Sequence, residues 1–267
     1  LIGLVYNGQR CIYSIIAFRR KSPDVPSPRH TQLAIMLLTP DDWEVVHLSL
    51  KVGAVAVLLT LPIAFGLAWL LARGRFPGKL LLDGLVHLPL VLPPVVTGWL
   101  LLLAFGNNGP AGRFFADWFG ITFMFRWTGA ALACAVMALP LMVRAIRLSI
   151  EAVDRRLEGA ARTLGATPAH VFLTITLPLS LPGLLAGAVL GFARSIGEFG
   201  ATITFVSNIP GETRTLPIAI YTALQVPGGE TEVTRLAIVS VVVSLIALVA
   251  SEVLARRAGS GRGSHVL

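Results

Sequence analysis

Five apolar runs of membrane length divide this chain, and together they leave it almost no soluble fold to adopt. A bilayer core about 30 Å thick is crossed by about 20 residues of helix. Residues 52–72, 85–105, 128–143 with a continuation to 150, 181–206 and 236–254 meet or approach that length, and the first run can begin as early as Val45. Within them apolar side chains follow one another without the period of a half-buried strand or a surface helix. With 55% of its residues hydrophobic, 13% charged and a mean hydropathy of +0.77, the chain lies outside the balance of an ordinary globular domain. It reads as an all-α integral membrane protein. The second run carries Pro89, Pro93 and Pro94, which predicts an irregular turn or kink ahead of a regular helix.

The net charge of +8 does not point to nucleic acid, because the arginines gather at the ends of apolar runs. Arg73, Arg75 and Lys79 fill the loop after the first run; Arg144, Arg147, Arg155, Arg156 and Arg162 follow the third; Arg256 and Arg257 follow the fifth. The alternate connections are acidic, with Asp41, Asp42 and Glu44 before the first run and Glu212, Glu230 and Glu232 between the fourth and fifth. The positive-inside rule then sets the N-terminus outside and the C-terminus inside, a parity that five spans satisfy. Residues 38–257 form the membrane domain in this reading and 258–267 a cytoplasmic tail. Residues 1–37 fit it poorly, with an interrupted apolar stretch, Arg19-Arg20-Lys21 and then Pro23, Pro26 and Pro28. They are expected to be a disordered or non-native extension, with a cleaved signal sequence as the alternative and Met36 as a natural beginning. Cys11 and Cys134 are too few and too far apart to suggest a disulfide framework or a metal pattern.

Between the third and fourth runs lies a segment of a different character. Asp154 can cap a helix from about Arg155 to Leu164, and Gly165 stands where a left-handed residue would end it. Thr167 can cap a second helix with Pro168 at its first position, and Pro178 is expected to close the unit. The first helix offers Gly159, Ala160 and Ala161, which let another surface approach its backbone, with Leu157, Leu164 and Phe172 as apolar anchors. Such a helix–turn–helix hook suits docking into a groove on a soluble partner. The competing reading is an amphipathic loop on the headgroups, its arginines drawn to anionic lipid.

The string Glu158-Gly159-Ala160-Ala161-Arg162-Thr163-Leu164-Gly165, nine residues and then Ile175-Thr176-Leu177-Pro178, resembles the cytoplasmic EAA loop of bacterial ABC importer permeases. That pattern is Glu-Ala-Ala, three residues, Gly, nine residues, Ile-x-Leu-Pro. It departs at one place: the family's glutamate aligns with Gly159, and Glu158 stands one residue earlier. Four further strings, beginning at His87, Asp117, Pro140 and Gly197, extend the likeness to the molybdate permeases of that group, from about Leu38 to Arg257. The resemblance implies a type I importer permease fold of about five transmembrane helices with a cytoplasmic coupling helix, in the bacterial inner membrane. It assigns docking of an ATPase to Glu158, Gly159, Ala160, Ala161, Arg162, Leu164, Gly165, Ile175, Leu177 and Pro178. It further implies a homodimer of permeases in the lipid bilayer, two ATP-binding cassette subunits that use ATP and magnesium, and an extracytoplasmic oxyanion-binding protein. Sulfate or tungstate in place of molybdate, and an ATP-independent secondary transporter or channel, stay open as alternatives.

The chain is expected to bind no cofactor and to catalyse nothing. Its nearest approach to a phosphate-binding loop, Gly74-Arg75-Phe76-Pro77-Gly78-Lys79-Leu80, is one residue short and lacks the hydroxyl, so it reads as a turn. His30, His47, His87, His170 and His265 are isolated in sequence, with no metal cluster among them. Charge inside hydrocarbon should face protein, a partner charge or water, which singles out Arg194 and Glu198 in the fourth run. Four residues apart, they can pair on one helix face as scaffold. Alternatively that face lines the translocation pathway, with Ser195, Thr202 and Thr204 offering hydroxyls to a passing oxyanion and Thr97, beside Gly98, as a secondary candidate.

Overall fold

The computed structural model describes residues 38–260, and every regular element among them is helical. The expectations for residues 1–37 and 261–267 lie outside this range. Helix α1 spans Pro40–Arg73 and starts well before the apolar run it contains. Its polar first turn is held by a capping box: Asp42 N–H donates to Thr39 Oγ1 at 3.3 Å, and Thr39 N–H donates back to Asp42 Oδ2 at 2.7 Å.

The second run has the expected turn at its prolines ahead of a regular helix, but the stretch before the turn is itself a helix. Helices α2 (Lys79–Val91) and α3 (Pro94–Phe105) meet at 115°. Leu92 leaves the helical conformation, as a residue before proline is pressed to do, and its N–H closes α2 on Leu88 O at 3.1 Å. Pro93 and Pro94 bring no N–H, so the elbow leaves fewer free donors facing hydrocarbon. Helix α4 (Pro110–Phe119) is short and carries Phe114, Trp118 and Phe119 on its exposed side. Helix α5 (Trp127–Glu151) follows, then α6 (Arg155–Thr163).

The fourth run is also redrawn. A single helix, α7, covers Pro168–Ile196, and it stops at Gly197 instead of running on to Val206. The chain breaks across Gly197–Phe199 and resumes as α8 (Gly200–Val206). Pro178 does not close the hook, because α7 takes a π turn over Phe172–Thr176 just ahead of it. There Leu177 N–H bonds Phe172 O, five residues back, and the widened turn gives the proline ring room where an α-helix would clash. Helices α9 (Leu216–Leu224) and α10 (Glu230–Ser260) complete the described chain. Four of these helices are long and apolar enough to cross a bilayer, and the bent α2–α3 pair makes a fifth when taken together.

Helix α5 is the axis of the bundle, with α1 and α7 packed along it, α2 and α8 against its flanks, and α8 also on α3. Its inward face is small: Ala130, Ala133, Cys134 and Ala138 are buried. Further along α5, at Met142, Ile146 and Ser149, α7 presents Gly183, Gly187 and Gly191 at intervals of four. A methyl group at Gly191 would sit 2.6 Å from Met142 Sδ, and at Gly187 3.1 Å from Ile146 Cγ1. Close approach through small residues is how helices associate where lipid removes the hydrophobic incentive. Polar ties fix the ends. Arg235 of α10 lies 2.6 Å from Asp42 of α1, and Ser49 Oγ accepts the Leu216 N–H of α9 at 2.8 Å. Arg147 of α5 joins Asp83 of α2 at 3.1 Å and Glu151 at 2.8 Å.

Candidate functional site

Local chemistry builds the hook as its sequence predicts, up to its exit. Asp154 Oδ1 accepts the Arg156 N–H at 2.8 Å and starts α6. At the far end Gly165 has φ +87°, and the Ala166 N–H returns to Ala161 O at 3.1 Å, closing a Schellman turn. Thr167 Oγ1 accepts the His170 N–H at 3.3 Å and starts α7. Along α6 the backbone is open, for a methyl group at Gly159 would meet nothing within 4 Å. Ala160, Arg162 and Leu164 are exposed, Leu164 to 89%, while Ala161 is half-buried. Ile175, Leu177 and Pro178 sit half-buried where α7 enters the bundle.

Glu158 does not face outward with that surface. Its side chain is 14% exposed and turns towards the bundle, where Oε1 accepts from Arg73 Nη2 and from Thr176 Oγ1, each at 2.8 Å. Trp69 and Phe172 pack edge to face beside them with ring centroids 4.9 Å apart, and Phe65 adds a second edge contact to Phe172 at 6.0 Å.

The break after α7 gathers the other candidates. Arg194 Nη2 lies 2.6 Å from Glu198 Oε2, so the expected pair is made. The other carboxylate oxygen accepts the Ala201 N–H at 2.8 Å, which caps the free N-terminus of α8. Glu198 is 1% exposed and Arg194 25%. Ser195 and Thr202 are buried, and their hydroxyls donate to Gly191 O at 2.8 Å and Glu198 O at 3.5 Å. Thr204 is half-buried and donates to Gly200 O at 2.8 Å. Thr97 is buried with no hydrogen-bond partner for its hydroxyl, and Gly98 beside it lets α3 approach Ala201 and Thr204 of α8. Arg194, Glu198, Ser195, Thr202, Thr204 and Thr97 therefore cluster around one α7–α3–α8 junction. Within a single chain Arg194 and Thr204 are the accessible members.

The sequence profile of one family, described as the binding-protein-dependent transport system inner membrane component, matches residues 55–260. The chain belongs to this family. It is a multi-pass protein of the cytoplasmic membrane and a transport component. Among its relatives, the molybdenum transport system permease protein ModB of Escherichia coli K12 is 62% identical over 221 residues, covering 83% of this chain and 96% of that protein. ModB of Haemophilus influenzae is 59% identical over 212 residues, covering 79% and 93%. A solved bacterial ABC transporter that imports the polysaccharide alginate shares the permease fold, with a TM-score of 0.66 and 17% identity over 96% of this chain and 93% of that one. Against this fold, the sequence pattern missed Trp69 and Arg73 as members of the permease's hook and gave Thr176, which lies inside it, no role. Arg73 is legible only as a basic loop residue, since its partner lies 85 residues away.

Proposed function

We propose that this chain is the membrane-spanning permease subunit of an ATP-driven molybdate importer. The observation that carries the coupling role is the hook itself: a capped, ordered helix with an open backbone at Gly159 and a bare apolar tip at Leu164. The near end-to-end relatedness to molybdenum permeases supports the cargo.

The permease has no phosphate-binding loop, so the energy enters through a separate ATPase that binds ATP and magnesium, and this chain contributes no catalysis. Two copies form the pathway, each docking one ATPase through residues 154–178, and a binding protein delivers the oxyanion to the opposite face. The basic loops support a hook on the inside and an N-terminal end of α1 on the outside. Closure of the ATPases displaces both hooks, and the bundles rotate between inward- and outward-open arrangements, a two-state shift driven by nucleotide. The junction at Arg194, Glu198 and Thr204 is the stretch we assign to the pathway. Weak contacts from hydroxyls and one guanidinium suit an ion that must leave again.

Uptake of labelled molybdate into proteoliposomes holding the complete complex tests the reading. Uptake is expected to require ATP and to survive excess sulfate. Equal competition by sulfate removes the molybdate assignment, and uptake driven by an ion gradient without the ATPase removes the importer role.

A further inference from the structure

One carboxylate oxygen of the hook holds three elements together. Glu158 Oε1, in the first turn of α6, is met by Arg73 Nη2 from the last turn of α1 and by Thr176 Oγ1 from the last residue of the π turn in α7, both at 2.8 Å. Arg73 and Glu158 are each 14% exposed, and the guanidinium lies 6.0 Å from the Trp69 ring, on which Phe172 packs. A shielded pair of this kind, sharing a hydroxyl, resists separation, because removing either partner strands the other charge. Beyond it, α6 leans chiefly on the start of α7, across a turn at Gly165. The π turn also makes this region a place where α7 can bend, since helices bend where their regular ladder is interrupted.

We propose that Arg73, Glu158 and Thr176 form an internal strut that makes the hook move as one body with α1 and α7. Displacement of α6 then reaches both spans together instead of being absorbed by the Gly165 turn and the π turn. Glu158 is thus a positioning residue directed at its own chain, while the docking surface is the opposite face of α6. The inference rests on the coupling role proposed above.

The test is a double-mutant cycle in the complete complex, reading molybdate ions taken up per ATP hydrolysed. Glu158→Gln and Arg73→Gln are each expected to lower that ratio about fivefold or more, the double variant no further, and the exchanged pair Arg73→Glu with Glu158→Arg to recover most of the loss. An unchanged ratio in Arg73→Gln, or losses that multiply in the double variant, overturns the strut. Hydrogen exchange on the purified full chain gives an independent reading. Thr176→Val, which keeps both charges, is expected to speed exchange of amides 155–163 about threefold or more, and equal exchange overturns the strut. If the wild-type complex takes up no molybdate with ATP, the transport reading fails, and the exchange measurement alone decides the strut.

Discussion

Glu198 carries its charge almost wholly out of contact with solvent, and each of its oxygens has a distinct task. One faces Arg194 and the other caps α8 through the Ala201 N–H. Removing one partner of a buried pair costs about 3–5 kcal/mol, because the survivor is left uncompensated. Arg194, the survivor here, is 25% exposed, so Glu198→Ala is expected to destabilise the folded chain by the lower end of that range or less, measured by thermal unfolding in detergent. Glu198→Gln, which keeps an acceptor for Ala201, is expected to lose less. Near-wild-type stability in Glu198→Ala would mean that the cap and the pair are dispensable. At this scale the sequence was informative wherever partners are neighbours. Arg194 and Glu198 pair at a spacing of four, whereas the bond to Ala201 was hidden because residues 197–206 look like more of the same apolar run. Thr97 was a secondary candidate only, and nothing in the pattern foretold that its hydroxyl would be buried without a partner.

Among elements, the hook was legible because its signals are local. Asp154, Gly165, Thr167 and Pro168 each act within a turn of where they stand, and each takes its expected place. The π turn and the break at Gly197 were not legible, whereas Pro93 and Pro94 announced a turn in the second run without giving its angle. Apolar character does not report chain direction, so the 115° size of the elbow was hidden and an interruption at Gly197 looks the same as a continuous span. Pro178 was misplaced as a stop for a related reason: a proline's clash depends on the turn before it, and Phe172–Thr176 shows no sign in sequence of being wide. The hook's dependence on its glycine can be tested. A bulky residue held left-handed costs about 1–2 kcal/mol, so Gly165→Leu should fray the end of α6 and depress uptake severalfold with the protein still in the membrane. Unchanged uptake would strip the hook of its coupling role.

Over the whole molecule, span number and membrane class followed from composition, and packing order did not. That α5 is central, and that α7 fits it through Gly183, Gly187 and Gly191, depends on contacts between runs that sequence lays out only in series. Orientation rests on the placement of lysine and arginine and is testable on the intact chain. Ala169→Cys, at an exposed position in the hook, is expected to react with an impermeant thiol reagent in inverted vesicles and to stay unlabelled in whole cells, with the parent chain as background. Labelling from outside reverses the topology. The exposed tip of the hook bears on how cells count these subunits. On the docking proposed above, a copy made in excess of the ATPase carries Leu157 and Leu164 bare into water, and greasy side chains left uncovered are what chaperones and proteases seize. The surface that joins the finished machine would then also mark unfinished ones for disposal, holding the two gene products near a fixed ratio.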